Sequence, residues 1–327
     1  MPNTAVNGAV SVVEPWLHVV AAVIRDAAGN ILLAQRPAHK HQGGKWEFPG
    51  GKVESAETPL RALNRELNEE LGIQVQHAQP LIKIRHVYPE LAVLLDVWEV
   101  TAFSGNAHGR EGQPIAWFEA EQLPALEFPP ANVPIITAAR LPAQCLITPE
   151  PHDSAGFLQQ LQQRLQAGVR LVVLRAKTLP APAYTALARD VICLAHASGA
   201  KVMLNSPPVM LAAADGLHLT SRQLLAADAS LRGTLLPGQW LSASCHSAEE
   251  LRQAVILGAD FAFLSPVLPT LSHPGEAHLG WGTFAALSEQ VNLPVYALGG
   301  MATHHVATAR QHGGQGIAAI RSLWSSV

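Results

Sequence analysis

The pattern of hydrophobic and polar positions divides the chain into two parts with different rhythms. In the first part, about residues 15–137, apolar runs of strand length alternate with polar turns, and one longer stretch has helical periodicity. The predicted strands are 17–25, 31–36, 91–100 and 116–120, and the turn 26–30 joins the first two as a hairpin. This part is therefore predicted to be a domain of mixed α and β structure.

The helix of the first part is predicted to run from 59 to 71 because the signals at both ends agree. Thr58 can cap its first turn, Pro59 suits the first helical position, and Gly72 suits the residue after its end. An apolar stripe along one side would face the core. The stripe consists of Leu60, Leu63, Leu67 and Leu71.

From Cys145 onward, short apolar strands alternate with helical segments. The eight predicted strands are 145–148, 169–175, 201–205, 216–220, 241–245, 261–266, 294–300 and 316–320. The helix-like segments between them are 154–167, 181–197, 247–257 and 303–312. Eight successive βα units predict a small TIM (β/α)8 barrel. The expected organisation is a first domain at 1–137, a linker at 138–144 and the barrel at 145–327.

Composition and charge narrow the range of functions. The chain has 327 residues, is 48% hydrophobic and carries a net charge of −3, so it can bury two cores but offers no basic surface for a nucleic-acid polymer. Its three cysteines have neither disulfide nor metal-ligand spacing, which predicts reduced thiols in a cytoplasmic protein. The first residues lack a signal-peptide pattern, and no apolar run has membrane-spanning length, so we expect no membrane partner.

Three glutamates on the predicted helix indicate a metal site. Glu66, Glu69 and Glu70 are spaced i, i+3 and i+4, so they project from one face beside the leucines. Like charges this close repel unless a cation joins them, and hard divalent ions prefer such oxygen ligands. The preceding Gly50–Gly51 pair gives a tight loop where backbone can approach a phosphate or a metal. A solvated acidic face is the alternative for the glutamates taken alone.

Residues 51–73 resemble the Nudix signature at every restricted position. These positions are Gly51, Glu57, Arg65, Glu66, Leu67, Glu69, Glu70, Gly72 and Ile73. The resemblance extends to the MutT type of Nudix hydrolase in KWEFPGGK (45–52), REGQP (110–114) and FPPANVPI (128–135). It implies an α/β/α sandwich with a mixed sheet and metal-dependent hydrolysis of a nucleoside triphosphate, most specifically of 8-oxo-dGTP to its monophosphate and pyrophosphate.

The same resemblance implies a set of functional residues. Mg²⁺, or Mn²⁺ in its place, would be held by the Gly50 carbonyl and by Glu66, Glu69, Glu70 and Glu111. The group that activates the attacking water would be Glu66, Glu69 or Glu111, with Arg65 and Glu57 in support. The small-molecule nucleotide would contact Arg36, His41, Glu47, Phe48, Pro49, Gly50 and Asn132. Asn132 has an amide acceptor that could bind the N7–H of 8-oxoguanine, where guanine has a lone pair. In the MutT pattern an acidic residue is followed by arginine, whereas here Leu91 follows Glu90.

Segments of the second domain resemble thiamine-phosphate synthase and its TenI-like relatives. The segments are VLRAK (173–177), LNS (204–206), GLHLT (216–220), SPVLPT (265–270) and ALGGM (297–301). Ser206 and Gln223 stand where the synthase pattern has two metal-binding aspartates, and His273 stands where it has a lysine. We therefore expect no thiamine-phosphate synthase activity. The candidate residues of the barrel are Arg175, Lys177, Asn205, His246, Gly299, Gly300 and Arg321.

Alternatives remain open for both domains. Gly299, Gly300 and Arg321 suit a phosphate site because they follow the last two barrel strands. His246 resembles the histidine of TenI-like thiazole tautomerases and could be a general acid or base. The barrel would then act on a phosphorylated thiazole-like ligand, or it would be a catalytically silent module that binds a ligand or stabilises the first domain. The first domain could instead hydrolyse another nucleotide, such as a sugar nucleotide, or bind without catalysis.

Overall fold

The computed structural model describes residues 16–38, 42–89, 91–205, 212–270, 275 and 277–325. The strands of the first domain are β1 (Leu17–Arg25), β2 (Ile31–Gln35), β3 (Trp46–Glu47), β4 (Gln74–Val87), β5 (Ala92–Ser104) and β6 (Ile115–Phe118). Its helices are α1 (Pro59–Leu71) and α2 (Val133–Arg140), and short 3-10 helices cover Ala120–Ala125 and Pro130–Asn132. Helix α1 has the predicted bounds, while β4 and α2 were not predicted.

The first domain is a mixed sheet between two helices, which confirms the predicted α/β/α sandwich. The strand order is β3-β2-β1-β5-β4, with β6 paired to β2; β1 and β5 are parallel, and the other pairs are antiparallel. Val20 and Ala22 of β1 pack in one cluster with α1, while Ala21 and Val23 pack in another with α2. This alternation follows from the two-residue period of a strand, which points successive side chains to opposite faces.

Helix α1 is held at both ends as its sequence predicts. The Thr58 hydroxyl accepts a hydrogen bond from the Arg61 amide, and Gly72 has a φ of 71° that suits a left-handed helix end. The predicted apolar stripe is wrong at one position, because Leu60 is 41% exposed whereas Ala62 is fully buried. The first turn of α1 is largely exposed, so the buried face starts at Ala62.

The second domain is a closed barrel of eight strands, and every neighbouring pair is parallel. Its strands are β7 (Gln144–Ile147), β8 (Leu171–Leu174), β9 (Lys201–Asn205), β10 (Gly216–Leu219), β11 (Trp240–Cys245), β12 (Phe261–Leu264), β13 (Val295–Leu298) and β14 (Gly316–Ala319). Its helices are α3 (Ser154–Gln166), α4 (Ala181–Ala197), α5 (Ser221–Ala226), α6 (Ala248–Ile256), α7 (Gly280–Ser288), α8 (Val306–Gln311) and α9 (Arg321–Trp324), with 3-10 turns at Ala229–Thr234 and Thr303–His305. The predicted TIM barrel is confirmed.

The two domains are joined by direct polar contacts. The Gln315 amide donates hydrogen bonds to the carbonyls of Ala138 and Leu141, both at 3.0 Å, and so caps the end of α2 from the barrel. The region predicted as a linker, 138–144, contains the last turn of α2 and the first residue of β7. The domain bounds given by the sequence stay a prediction.

No helix among the described residues is both long enough and apolar enough to cross a membrane.

Candidate active site

The Gly50–Gly51 loop lies directly against the central strand and against α1. The Pro49 and Gly51 carbonyls accept hydrogen bonds from Ala22 and Val20 of β1, at 2.8 and 2.9 Å. A Cβ atom on Gly50 would lie 2.1 Å from the Val20 oxygen, and one on Gly51 would lie 2.2 Å from the Glu66 carboxyl carbon. A larger residue at Gly50 would therefore push the loop away from β1, whereas one at Gly51 would displace the Glu66 carboxylate.

Arg65 joins the loop, the helix and three carboxylates. Its guanidinium donates to both oxygens of Glu57 at 3.2 and 2.9 Å, to Glu66 at 2.8 Å and to Glu69 at 3.3 Å. It also donates to the Lys52 carbonyl at 2.9 Å. The hydrogen bond from Arg65 holds the pKa of Glu57 below its ordinary value, and the bonds to Glu57 and Glu66 raise the pKa of Arg65 further. Arg65 therefore pairs with all three neighbouring carboxylates at once.

Glu70 occupies the most enclosed position of the acidic group. Burial raises its pKa to about 8, and the negative charges of Glu47, Glu66 and Glu111 act in the same direction, although a hydrogen bond from the Gly50 amide opposes them. That bond is 3.2 Å long. The electrostatic field at Glu70 therefore favours a positive charge, supplied either by a proton or by a cation.

Glu111 is placed beside α1 by a loop that caps the helix end. The amides of His108 and Arg110 donate to the carbonyls of Leu71 and Glu70 at 3.1 and 2.9 Å. The Gln113 side chain donates to the same Glu70 carbonyl at 3.1 Å. These carbonyls have no partner within the helix, so the loop that satisfies them brings Glu111 to the side of the carboxylates.

The carboxylates of α1 and Glu111 are chemically suited to a divalent metal ion, although their side chains do not surround a common point. Within the described ranges, no three histidine, cysteine or carboxylate side chains lie close enough together to enclose an ion. The glutamates also differ in exposure, since the side chain of Glu66 is 16% exposed and that of Glu69 is 57% exposed. An ion here would draw Glu66, Glu70 and Glu111 inward and complete its shell with water and substrate phosphate, as Mg²⁺ commonly does. The role of each glutamate stays a prediction.

The predicted nucleotide contacts lie in two segments that meet beside β2 and β3. Arg36 forms an ion pair with Glu47, which places both side chains at the edge of the sheet. Phe48 lies in the core, 4% exposed, and stacks on Phe128 with ring centres 5.6 Å apart, so it supports the Asn132 segment from inside. Pro49 is likewise buried.

Asn132 ends a 3-10 turn and precedes α2, where its side chain makes no capping hydrogen bond. Its amide is therefore not committed to the helix end. His41 and Glu90 lie outside the described residues. Contact of any of these residues with a nucleotide stays a prediction.

Tyr88 is a residue near Arg36 and Asn132 that the sequence reasoning missed. The backbone of Ala131 hydrogen-bonds its hydroxyl, and burial raises its pKa while the charge of Arg36 lowers it. Tyr88 thus lies between the two segments that carry Arg36 and Asn132. No local pattern marks it, because it follows the unpredicted strand β4.

In the barrel, Lys177, Asn205 and Gln223 line a cavity of about 510 Å³ at the carboxyl ends of β8, β9 and β10. The Gln223 side-chain oxygen accepts from the Thr220 amide and hydroxyl at 2.9 and 2.8 Å, so it is used in capping α5. Asn205 is 8% exposed and donates to the His218 carbonyl at 3.0 Å. Arg175 is tied through its backbone to the Thr148 hydroxyl. Ser206 and His273 lie outside the described residues.

The remaining barrel candidates lie on neighbouring loops. The His246 ring contacts the Ser265 carbonyl through Nδ1 at 2.8 Å. Gly299 and Gly300 have positive φ values of 93° and 71°, and a Cβ on either would strike the loop after β12. Arg321 is exposed at the start of α9. Their roles also stay predictions.

Two family models match the chain, one for each domain. The model described as NUDIX domain matches residues 20–138, and the model described as thiamine monophosphate synthase matches residues 144–323. The second match covers more than half of the chain. Nudix hydrolases generally use divalent metal ions.

Named relatives match each domain over nearly their full lengths. The 8-oxo-dGTP diphosphatase of Escherichia coli is 41% identical over 120 residues, covering 37% of this chain and 93% of that protein. The CTP pyrophosphohydrolase of the same organism is also 41% identical, over 124 residues, covering 37% of this chain and 90% of that protein. The putative thiamine-phosphate synthase 2 of Aquifex aeolicus is 36% identical over 182 residues, covering 55% of this chain and 96% of that protein.

Proposed function

The chain belongs to the Nudix family through its first domain and to the thiamine monophosphate synthase family through its second, and we propose that it is a Mg²⁺-dependent pyrophosphohydrolase that removes 8-oxo-dGTP from the nucleotide pool. It is a Nudix hydrolase. The observation that supports the reaction is the group of glutamates on α1 and the loop after β5, organised by Arg65 next to the Gly50–Gly51 loop.

The residues of the acidic site would have separate roles in hydrolysis. A bound Mg²⁺ would neutralise the phosphate oxygens and make water a better nucleophile. Arg65 would keep Glu57 and Glu66 in place through the cycle, because its planar donors hold two carboxylates at once. Glu66, Glu69 and Glu111 remain the candidates for orienting the water or accepting its proton.

The base would be selected at the other side of the pocket. The Asn132 amide would accept the N7–H of 8-oxoguanine and donate to O6, whereas guanine would place one acceptor against another. An unpaired buried polar group costs about 1–3 kcal/mol, which corresponds to roughly tenfold to a hundredfold in discrimination. Arg36 and Tyr88 would border the same pocket.

CTP is the second candidate substrate. Its support is the CTP pyrophosphohydrolase relative, which is as similar to this chain as the 8-oxo-dGTP diphosphatase is. Leu91 also stands where the MutT pattern has an arginine. The glutamates would serve either substrate, so the distinction belongs to the base pocket alone.

A nucleotide panel tests the proposal. The purified chain with Mg²⁺ is given 8-oxo-dGTP, dGTP, CTP and a sugar nucleotide, and pyrophosphate and phosphate are measured separately. We expect the highest kcat/KM for 8-oxo-dGTP, with pyrophosphate as product. Glu66→Gln should lower turnover at least about a hundredfold because it removes a ligand charge. Glu54→Gln, at an exposed position before α1, should not. A higher kcat/KM for CTP would transfer the function to the second candidate.

For the barrel, we propose that it binds a small phosphorylated, thiazole-like ligand and makes no thiamine phosphate. The ligand is supported by the cavity at the carboxyl ends of β8, β9 and β10. The absence of synthase activity is supported by Gln223, whose side chain caps α5 and carries no charge for a metal ion. Incubation of the full chain with Mg²⁺ and both synthase substrates should give no product, and detectable thiamine phosphate would overturn the proposal. A cytoplasmic location for the whole protein stays a prediction.

A further inference from the structure

A cavity of about 700 Å³ lies between the two domains. Among the described residues, its lining includes neither the proposed metal-binding glutamates nor the residues at the carboxyl ends of the barrel strands. The first domain contributes Lys45, Phe128 and α2, and the barrel contributes Trp240 and the segment before β12. A volume of this size is ordinary for a small-molecule site, and domain interfaces are common places for such sites.

The cavity carries an excess of positive charge. Lys45, Arg140 and Arg232 line it, against Glu127 and Asp260. Asp260 is already neutralised, because it accepts from Arg232 at 2.6 Å and from the Leu241 amide at 2.7 Å. The remaining positive charge of the lining therefore resides at Arg140 and Lys45, opposed by Glu127 within the lining and by Glu121, which acts on Arg140 from outside it.

Arg140 is held in place yet incompletely bonded. Its guanidinium carbon lies 5.2 Å from the centre of the Trp240 ring, a cation–π geometry that fixes the side chain. Its Nε atom is buried and has no hydrogen-bond partner in the part of the chain that the structure describes. A buried donor without a partner is unfavourable, so an acceptor that entered the cavity would gain this bond.

The other walls are apolar. Leu126, Phe128, Val133 and Ile136 line the cavity from the first domain, and Val133 is 56% exposed although it is a large aliphatic residue. Such a surface suits a flat ring, while arginine beside it suits a phosphate oxygen. We propose that this cavity binds an aromatic phosphomonoester, with its phosphate at Arg140 and its ring against Phe128 and Val133.

This chemistry has two sources in the cell, namely a nucleoside monophosphate and a phosphorylated thiazole. Calorimetry on the full chain in EDTA tests both, with GMP and hydroxyethylthiazole phosphate as probes and inorganic phosphate as the control that lacks a ring. We expect one of the two aromatic probes to bind with a Kd below about 1 mM and inorganic phosphate to bind at least about tenfold more weakly. The probe that binds identifies the source.

Variants locate the bound probe. Arg140→Gln should weaken binding at least about tenfold, because it removes the charge and the hydrogen-bonding guanidinium. Val133→Glu should also weaken binding at least about tenfold, because it adds a charge that repels the phosphate. Glutamate is well tolerated in the first turn of a helix, so this variant should fold even if Arg140→Gln does not. Arg61→Gln and Arg189→Gln remove exposed charges elsewhere on the chain and should bind the probe like the wild type. No binding at about 1 mM would overturn the proposal. Binding that keeps its wild-type affinity and stoichiometry in both cavity variants would overturn it as well.

Discussion

Arg65 shows how a single side chain can order a group of like charges. It hydrogen-bonds Glu57, Glu66 and Glu69 as well as the Lys52 carbonyl, so four groups from the loop and the helix share one guanidinium. Without it, the carboxylates would repel one another and take up separate positions. The geometry of the proposed metal site therefore depends on a residue that is not itself a metal ligand.

Replacing Arg65 by lysine tests this dependence. Lysine keeps the charge but cannot donate to two carboxylates in one plane. We expect Arg65→Lys to lower kcat by roughly tenfold or more and to weaken Mg²⁺ activation, as seen in Mg²⁺ titrations of the rate. Arg61→Lys is the matched control, because Arg61 is exposed on the same helix. Equal rates for the two variants would contradict the role assigned to Arg65.

Replacing Asn132 should change the substrate selectivity of the enzyme but not the stability of the fold. Because its side chain does not cap α2, Asn132→Ala should leave the melting temperature nearly unchanged. The preference for 8-oxo-dGTP over dGTP should fall about tenfold or more, since the selective hydrogen bonds are lost with the amide. Competition assays with the two substrates measure it. A wild-type enzyme with comparable kcat/KM for both would refute the assignment before any variant is made.

At the scale of elements, the end of α1 connects the helix to the Glu111 loop. Gly72 has a left-handed conformation, and a Cβ there would lie 2.9 Å from the His108 ring. The same residue therefore ends the helix and leaves room for the loop that caps it. A substitution should disturb stability and the acidic site together.

Gly72→Ala is predicted to cost about 1–2 kcal/mol from backbone strain, with a further loss from the contact with His108. It should also raise the Mg²⁺ concentration needed for half-maximal rate, because Glu111 moves with the loop. Gly29→Ala is the matched control: its φ is 88°, and nothing lies within 4 Å of the added Cβ. Denaturant unfolding and Mg²⁺ titration of both variants separate strain from displacement. If Gly29→Ala shifts the Mg²⁺ requirement equally, the loop is not the cause.

The elements that could be predicted from sequence are those whose signals are local. Helix α1 has a cap, a proline and a terminal glycine within its own sequence, and the barrel strands are short apolar runs of buried strand type. Strand β4 was missed because its register shifts around His77 and Pro80 break the alternation of apolar residues. Helix α2 could not be predicted because Pro134 and Pro142 lie close together, which is typical of a linker, although Pro134 lies in the first turn of the helix, where proline is favourable.

The residues of the candidate active site could likewise be predicted only where their signals are local. The three glutamates of α1 could be predicted because helical spacing alone brings them to one side. Tyr88 could not, since it reaches Ala131 only through the path of β4 across the sheet. The pairing of Glu99 with Arg310 is further removed, because those residues are 211 positions apart and no local pattern relates them.

At the scale of the whole molecule, Glu99 joins the two domains. It accepts from Arg25 at 2.7 Å within its own domain and from Arg310 of α8 at 2.7 Å, and Gln79 adds a third bond at 3.0 Å. Arg310 is 4% exposed and Glu99 is 8% exposed, so water does not screen this contact strongly. Breaking a buried pair leaves the partner uncompensated, which costs about 3–5 kcal/mol.

A second interdomain glutamate is the natural comparison. Glu289 pairs with Lys83 at 3.4 Å and with Arg85 at 3.8 Å, but its side chain is 40% exposed. Exposed pairs contribute about 0–1 kcal/mol. We expect Glu99→Gln to reduce the free energy of unfolding near neutral pH by about 3–5 kcal/mol and Glu289→Gln to reduce it by less than about 1 kcal/mol.

The pH dependence distinguishes the charge of Glu99 from its shape. Burial alone would raise the pKa of Glu99, but the positive charges of Arg310 and Arg25 hold it below its ordinary value. The pKa of a glutamate in the unfolded chain is about 4.3. Because the pKa of Glu99 is lower in the folded protein, its charge stabilises the fold fully at pH values above the unfolded pKa, and this contribution is lost as the pH falls through the folded pKa. The difference in unfolding free energy between wild type and Glu99→Gln should therefore be constant from about pH 7 to 5 and shrink below about pH 4. The difference for Glu289→Gln should stay small throughout. Denaturant unfolding of the three proteins across this range measures both, and a Glu99→Gln difference that does not shrink in acid would mean that the contact stabilises the domains through packing rather than charge.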